Sequence, residues 1–250
     1  MKHEYPQNYA RFYDLIYHQL RDNVDSEFFQ NQINLAKGKI LETGVGTGRF
    51  FIDALNHGAD IYGIDISRSM INVLYTKLNK NQHNRVSLQS ITDFNFDFTF
   101  DLIIAPFRVF MHLIDKEDQI QALNNVCRHL NENGRFIFDV FIPDLQQLLI
   151  NADNVVDFED EYEPGKKLIR SISTWPDLLN QTIEILFHLE WDEAKELKSE
   201  DWMTRLRYFF RYELEHLVER SDFRSYKILG DYMGNELTQH SKDFIIVCQK

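Results

Sequence analysis

Cysteine is almost absent. Cys127 and Cys248 are the only two in 250 residues, far apart and each inside an apparently regular segment. That spacing excludes a disulfide framework and a cysteine-based zinc site. Positive charge is also scarce: 27 Lys and Arg face 39 Asp and Glu, a formal net charge of −12. Such a balance opposes tracking a phosphate backbone. No apolar run approaches membrane-spanning length, and Met1-Lys2-His3-Glu4-Tyr5 carries no apolar signal region. The expectations are a cytoplasmic protein with no nucleic-acid partner, no membrane partner and no metal. Internal repeats and low-complexity segments are missing as well. The length suits one domain, or one domain with an elaboration, and 20 phenylalanines promise an aromatic-rich core.

What the chain does contain is organised around Lys39–Phe50. An apolar strand ends in Glu42, and Thr43-Gly44-Val45-Gly46-Thr47-Gly48 then turns into a helix. Glycines here let the chain bend sharply and let backbone approach a ligand that a Cβ would obstruct. The helix start adds unpaired N–H groups and a positive dipole end. The dinucleotide fingerprint G-x-G-x-x-G requires glycine or alanine at position 49, where this chain has arginine. After a helix over about 47–56, the strand Asp60-Ile61-Tyr62-Gly63-Ile64-Asp65 ends in an acid. Asp65 stands where a carboxylate can accept both hydroxyls of a ribose.

Short apolar runs then alternate with amphipathic segments, the pattern of a βαβ series. Ser67 is a good N-cap, with Met70, Leu74 and Leu78 on one helix face. A third strand covers Val86–Gln89. The fourth, Phe100–Ala105, is apolar enough to be buried on both faces. Asp115, with Asp118 three residues on, caps the next helix; Gly134 fits its stop, and Arg135–Val140 is strand five. A helix over about Glu213–Glu219 and strands at Tyr226–Leu229 and Phe244–Gln249 complete the series. Ahead of it, Tyr9, Phe12, Tyr13, Ile16 and Tyr17 recur at helical spacing.

Residues 152–211 break the pattern. They begin acidic, turn at Pro164-Gly165, and hold three β-like runs: Lys167–Thr174, Gln181–Trp191 and Met203–Tyr212. Pro176-Asp177 and a charged loop around Glu193–Glu200 separate them. The expectation is a small antiparallel sheet inserted between strand five and the penultimate helix.

The spacing E-x-G-x-G-x-G from Glu42 to Gly48 resembles motif I of the class I S-adenosylmethionine-dependent methyltransferases. Gly63–Ser67, Phe100–Pro106 and Asn133–Phe136 are similar to the later motifs of that family, in order and at suitable distances. Tyr13-Asp14-Leu15-Ile16-Tyr17 resembles the Y-D-x-x-Y segment that helps close over the cofactor in many small-molecule members. The match covers roughly residues 5–145 and 205–250. It implies an α/β, Rossmann-like seven-stranded sheet in the order 3-2-1-4-5-7-6 with the last strand antiparallel, and S-adenosyl-L-methionine as cofactor. Residues 1–151 and 212–250 would form the cofactor-binding domain, with a helical cap over about 5–35. Residues 152–211 would form the β insert as a substrate lid; a dimer interface or a plain stabilising sheet are its alternatives, so a homodimer stays open. The resemblance assigns Gly44, Gly46 and Gly48 to the methionine part, Glu42 to its amino group and Asp65 to the ribose diol. Ile66 and Met70 become adenine neighbours, although Met70 also suits a helical core. Relatives often have an aspartate after strand three; here Ser90 stands near that place and backbone at Ile91 is the substitute. Ala105, at the end of strand four, completes the set.

Methyl transfer mainly requires alignment and desolvation, so few catalytic side chains are needed. Ala105-Pro106-Phe107-Arg108 is not the N-P-P-Y or D-P-P-Y motif of base amino-methyltransferases, and neither cysteine follows that strand as a pyrimidine C5 nucleophile would. What remains is transfer to an O or N atom of a small-molecule acceptor. His112 is the candidate general base, with ordinary packing as its other reading. Arg108 and Tyr13 are further candidates in the catalytic region. Arg170, Arg205, Arg207 and Arg211 read as strand arginines on a solvated face, with bidentate carboxylate binding as their other reading. The competing functions are a catalytically inactive S-adenosylmethionine-binding protein and a NAD-dependent dehydrogenase; Arg49 and the closing strand disfavour the second.

Overall fold

Two helices precede the first strand in the computed structural model, which describes residues 4–20 and 23–250: α1 (Gln7–Leu20) and α2 (Val24–Leu35). The series β1 (Ile40–Thr43), α3 (Arg49–Asn56), β2 (Ile61–Asp65), α4 (Arg68–Lys77) and β3 (Val86–Leu88) follows. Next come β4 (Phe100–Ala105), α5 (Lys116–His129) and β5 (Leu130–Phe141). Four long strands then stand apart, β6 (Ala152–Glu163), β7 (Lys166–Asp177), β8 (Thr182–Glu193) and β9 (Glu196–Arg207). The chain closes with α6 (Arg211–Glu219), β10 (Ser225–Leu229) and β11 (Asp243–Gln249).

The seven-stranded sheet runs β10-β11-β5-β4-β1-β2-β3, with β11 antiparallel to both neighbours and the others parallel. This is the expected order, β10 and β11 being its sixth and seventh strands. Period-two alternation builds its two cores. Leu102 and Ile104 of β4 join Phe29, Phe50, Ile71 and Leu74 from α2, α3 and α4. Ile103 and Ala105 face the other way, onto Leu123, Val126 and Leu214 from α5 and α6. A strand buried on both faces explains why Phe100–Ala105 is continuously apolar.

β6–β9 form a separate four-stranded antiparallel meander. Its inner face makes a third core with α1, where Tyr9, Phe12 and Ile16 meet Phe158, Leu168, Leu189, Trp191 and Trp202. Each large apolar side chain so buried contributes roughly 1.5–3 kcal/mol, which docks α1 on this sheet.

The structure corrects several sequence expectations. The meander has four strands where three were expected, because the acidic stretch from Asp157 to Glu163 pairs with β7 as β6. The charged stretch Glu193–Glu200 is largely strand: the turn is Ala194-Lys195, with φ 53° and 67°. Both residues take the left-handed conformation without the Asn-Gly signal that normally marks a two-residue hairpin. Arg211 and Tyr212 open α6. α5 stops at His129, where Leu130 turns extended to pair with Phe100, and Gly134 lies inside β5. Asp115 makes no side-chain cap bond; the Gln119 amide reaches back to the Leu113 carbonyl at 2.8 Å. Arg170 is buried, against the expectation of a solvated face. It donates to Asp157 through Nε at 3.0 Å and Nη2 at 2.6 Å, and to the Tyr9 hydroxyl at 2.9 Å. Arg205, Arg207 and Arg211 pair with Glu184, Glu213 and Glu215.

Candidate active site

The carboxyl ends of β1, β2, β3 and β4 open onto one cavity of about 370 Å³, where ligands of open α/β sheets bind. Its floor is the turn after β1. Gly44, Gly46 and Gly48 have φ 67°, 55° and 91°, a conformation that only glycine adopts freely. Their roles differ. A Cβ at Gly44 would collide with Val109, and one at Gly48 with Leu74. A Cβ at Gly46 would meet nothing nearer than the Gly44 carbonyl at 3.9 Å, so it would project into open space. Gly46 therefore leaves room for a ligand, while Gly44 and Gly48 permit close packing. Gly48 and Ala105 do not line the cavity. Gly48 is the residue before α3, turned toward Leu74 and Ile52, and Ala105 is fully buried in the core against α5.

Glu42 and Asp65 are the carboxylates on this floor. Both are buried, Asp65 at 8% exposure. Asp65 Oδ2 accepts the Gly46 N–H at 2.8 Å and Oδ1 the Ser67 N–H at 2.7 Å. Burial pushes its carboxyl above the usual carboxylate range, opposed by those N–H groups. A carboxylate with two backbone donors retains acceptor capacity for ligand hydroxyls. Ile66, Met70, Ser90 and Ile91 line the adjoining wall. Met70 serves both readings offered for it, since it is 1% exposed and still borders the cavity. The Ser90 hydroxyl lies 2.8 Å from that of Thr92. The floor thus offers two acidic acceptors and a backbone cradle that a Cβ would fill, a donor set suited to an aminoacyl nucleoside.

The opposite wall is aromatic. Phe107, Arg108, Val109 and His112 come from the turn after β4, with Tyr5, Tyr13 and Tyr17 on and just before α1. Ile185, Phe187, Trp202, Thr204 and Leu206 come from the inner face of β8 and β9. Tyr5 packs on Trp202 with ring centres 4.1 Å apart, Tyr13 on Tyr17 at 4.4 Å, and Tyr17 edge-on to Phe107 at 5.5 Å. Behind this wall sits Arg170, its guanidinium 5.1 Å from the Tyr17 ring and 5.0 Å from Phe187. α1 is also latched to the floor. Asp14 accepts the Thr47 hydroxyl at 2.6 Å and pairs with Lys77, which donates to the Thr47 carbonyl at 2.9 Å.

Tyr13, Arg108 and His112 therefore share one wall with residues that sequence reasoning did not select. Phe187 and Thr204 gave no signal beyond lying in β-like runs, and Trp202 lay just outside one, because only the pairing of β8 with β9 sets them side by side. Arg49, which argued against a dinucleotide fingerprint, lines the cavity and forms a two-pronged pair with Asp25 of α2. Among the described residues no helix is long and apolar enough to cross a membrane.

Residues 40–134 match the family model described as "Methyltransferase domain". The chain is 25% identical over 215 residues to the putative methyltransferase YqeM of Bacillus subtilis, covering 86% of this chain and 85% of that one. A solved S-adenosylmethionine-dependent methyltransferase from Clostridium acetobutylicum superposes with a TM-score of 0.78 at 20% identity, over 97% of both chains. The sugar N-methyltransferase KedS8 from Streptoalloteichus gives 0.75 at 17% identity, over 95% of this chain and 93% of that one. Glycine turn, strand-end acid, sheet order and domain match agree: residues 40–134 match a methyltransferase domain, and the chain has the fold of solved S-adenosylmethionine-dependent methyltransferases.

Proposed function

We propose that this enzyme methylates an amine nitrogen of a small molecule held between the glycine turn and the inner face of β8 and β9. The observation that carries this reading is a single cavity joining the Glu42–Gly46–Asp65 floor to an aromatic wall. Bound cofactor supplies an activated methyl group on a sulfonium sulfur. Gly44 and Gly46 admit its methionine part against backbone, Glu42 faces the amino group, and Asp65 takes the ribose diol. Ile66, Met70 and the chain at Ser90 and Ile91 border the adenine.

The aromatic wall favours nitrogen over oxygen as the acceptor atom. Alkylating a neutral amine creates positive charge on that nitrogen, whereas an alcohol ends as a neutral ether. Ring faces such as Tyr13, Tyr17 and Trp202 stabilise a nearby cation by about 0.5–2 kcal/mol each. His112, in the same wall, accepts the departing proton. Arg108 orients the acceptor, and Tyr13 borders the transfer path. The structural likeness to a sugar N-methyltransferase supports the same direction. Residues 152–211 act as the lid over the domain formed by 1–151 and 212–250, excluding water from the reacting pair.

Calorimetry with S-adenosylmethionine, S-adenosylhomocysteine and NAD tests the cofactor end, and only the first two should bind. Labelled-methyl transfer to matched small amines and alcohols tests the acceptor end. Methylation confined to alcohols, or no transfer to any amine by protein that binds the cofactor, would overturn the amine reading.

A further inference from the structure

Beneath the turn that follows β4 lies an ionisable group that the reaction outlined above leaves without a role. Asp139 of β5 is 1% exposed. Its Oδ2 accepts the Arg108 backbone N–H at 3.3 Å and the Tyr232 hydroxyl at 3.0 Å. Its Oδ1 is buried and accepts no hydrogen bond from a described residue. Ile137, on the same side of the strand, is apolar and fully buried. Burying a carboxyl with one oxygen unsatisfied is unfavourable, so a purely structural position would favour an apolar residue.

The turn that Asp139 holds is itself strained. Phe107 and Arg108 have φ 58° and 65°, two successive left-handed residues of which neither is glycine. Such conformations persist where the surroundings enforce them. Arg108 contributes by pairing through Nη2 with Asp243 at 3.1 Å, its guanidinium 5.5 Å from the Phe141 ring. The turn sets both ends of the cavity: Val109 fills the space beside Gly44, and Phe107, Arg108 and His112 form the acceptor wall.

We propose that Asp139 is a positioning residue for methyl transfer: its ionised carboxylate fixes the Phe107–Arg108 turn against the glycine loop, and protonation releases it. The link to the reaction rests on reading the aromatic end of the cavity as the acceptor site. An ionised acceptor forms hydrogen bonds about twice as strong as a neutral one, so the Arg108 N–H and Tyr232 hydroxyl are held more firmly by the charged form. The charged and titratable groups facing Asp139 come from every element around it. They are Arg108 on the turn, Tyr232 after β10, Asp243 on β11, and Asp25 on α2, itself paired with Arg49. Burial is the largest influence and pushes the carboxyl up to about 7, while Arg108 and Tyr232 pull it down. Release of the turn thus falls near neutrality.

The backbone amide of Arg108, followed by NMR across neutral pH with S-adenosylhomocysteine as the bound probe, reads the turn without any acceptor. In the unmodified protein its shift should titrate with a midpoint near 7. Asp139→Asn, which keeps the shape and removes the charge, should abolish that titration. Tyr232→Phe should move the midpoint to higher pH, because losing a donor to the carboxylate favours its protonated form. His112→Asn should leave the midpoint in place, which separates Asp139 from the histidine of the same wall. Turnover of an amine should rise with pH through the same midpoint, while affinity for S-adenosylhomocysteine changes by less than about threefold. An Arg108 amide that is pH-independent in the unmodified protein, or that titrates unchanged in Asp139→Asn, overturns the proposal. Failure of the amine reading would leave the NMR titration intact, so the two failures are distinguishable.

Discussion

The floor and the roof of the cavity are built on opposite plans. The floor is local in sequence: β1, its glycine turn and the start of α3 lie within Ile40–Asn56. Its shape depends on backbone, with glycines in conformations that other residues resist. The roof joins α1 to strands that lie more than a hundred residues away, and its shape depends on side chains packed through one aromatic core. A backbone-built floor suits a ligand that never changes. A side-chain-built roof can be remodelled without touching the sheet that carries the cofactor.

That contrast breaks most severely if the roof is removed. Replacing 152–211 by a short Gly/Ser loop should abolish methyl transfer while cofactor affinity stays within about tenfold, or roughly 1.4 kcal/mol. Calorimetry and transfer assays on the same protein read both quantities. Light scattering adds a control: loss of a dimer with transfer intact in the monomer would assign the meander to an interface. At the floor, Gly46→Val should weaken S-adenosylmethionine by more than about a hundredfold, since the side chain enters ligand space and the left-handed backbone resists it. Tight binding in a folded Gly46→Val protein would defeat the assignment of the floor.

Stability should divide along the same line. Arg170→Met leaves Asp157 without its partner and removes the clasp to Tyr9. Breaking a buried pair from one side costs about 3–5 kcal/mol, read in urea unfolding, with loosening centred on α1 and the meander. A variant as stable as the parent would mean that the clasp is dispensable. Asp65→Ala should weaken cofactor binding by about 1.5–3 kcal/mol, the scale of charge-assisted hydrogen bonds. Unchanged affinity in a titration would remove Asp65 as the ribose ligand. Smallest of all, Ile185→Ala should raise KM for the acceptor about threefold without altering cofactor affinity, consistent with a partial loss of apolar contact near 0.6 kcal/mol. A shift in cofactor affinity instead would place Ile185 at the wrong end.

The legibility of the sequence follows the same division. That Glu42, Gly46 and Asp65 border the cavity was legible because a tight turn and a strand-end acid leave short-range marks. β4 was legible because burial on both faces removes polar residues altogether. β6 was not, since its residues are mostly exposed and acidic and only pairing with β7 makes it a strand. Phe187 read as an ordinary strand residue and Trp202 fell just outside the expected runs; their place in a wall comes from β8–β9 register and from α1 lying across it. Arg170 was misread because an arginine on an alternating strand normally faces water, and its partner Asp157 lay in the acidic stretch outside the three expected runs. Gly48 and Ala105 were expected at the ligand; they do not border the cavity and both pack against neighbours, a distinction that spacing alone does not encode.

The scarcity of cysteine has a practical consequence for following this molecule in time. Both thiols are buried, Cys127 on α5 with its Sγ donating to the Asp222 carbonyl at 3.4 Å and Cys248 near the end of β11. Burial pushes both thiols up, which suppresses the reactive thiolate. A thiol reagent therefore finds no target on the closed molecule, and each modified chain is one that has opened. Both thiols belong to the core between the sheet and the layer of α5 and α6, so both report that layer lifting away. Compared with the rate for a free thiol, their modification rates become a built-in clock of opening on that face of the sheet, in a chain that needs no engineered label.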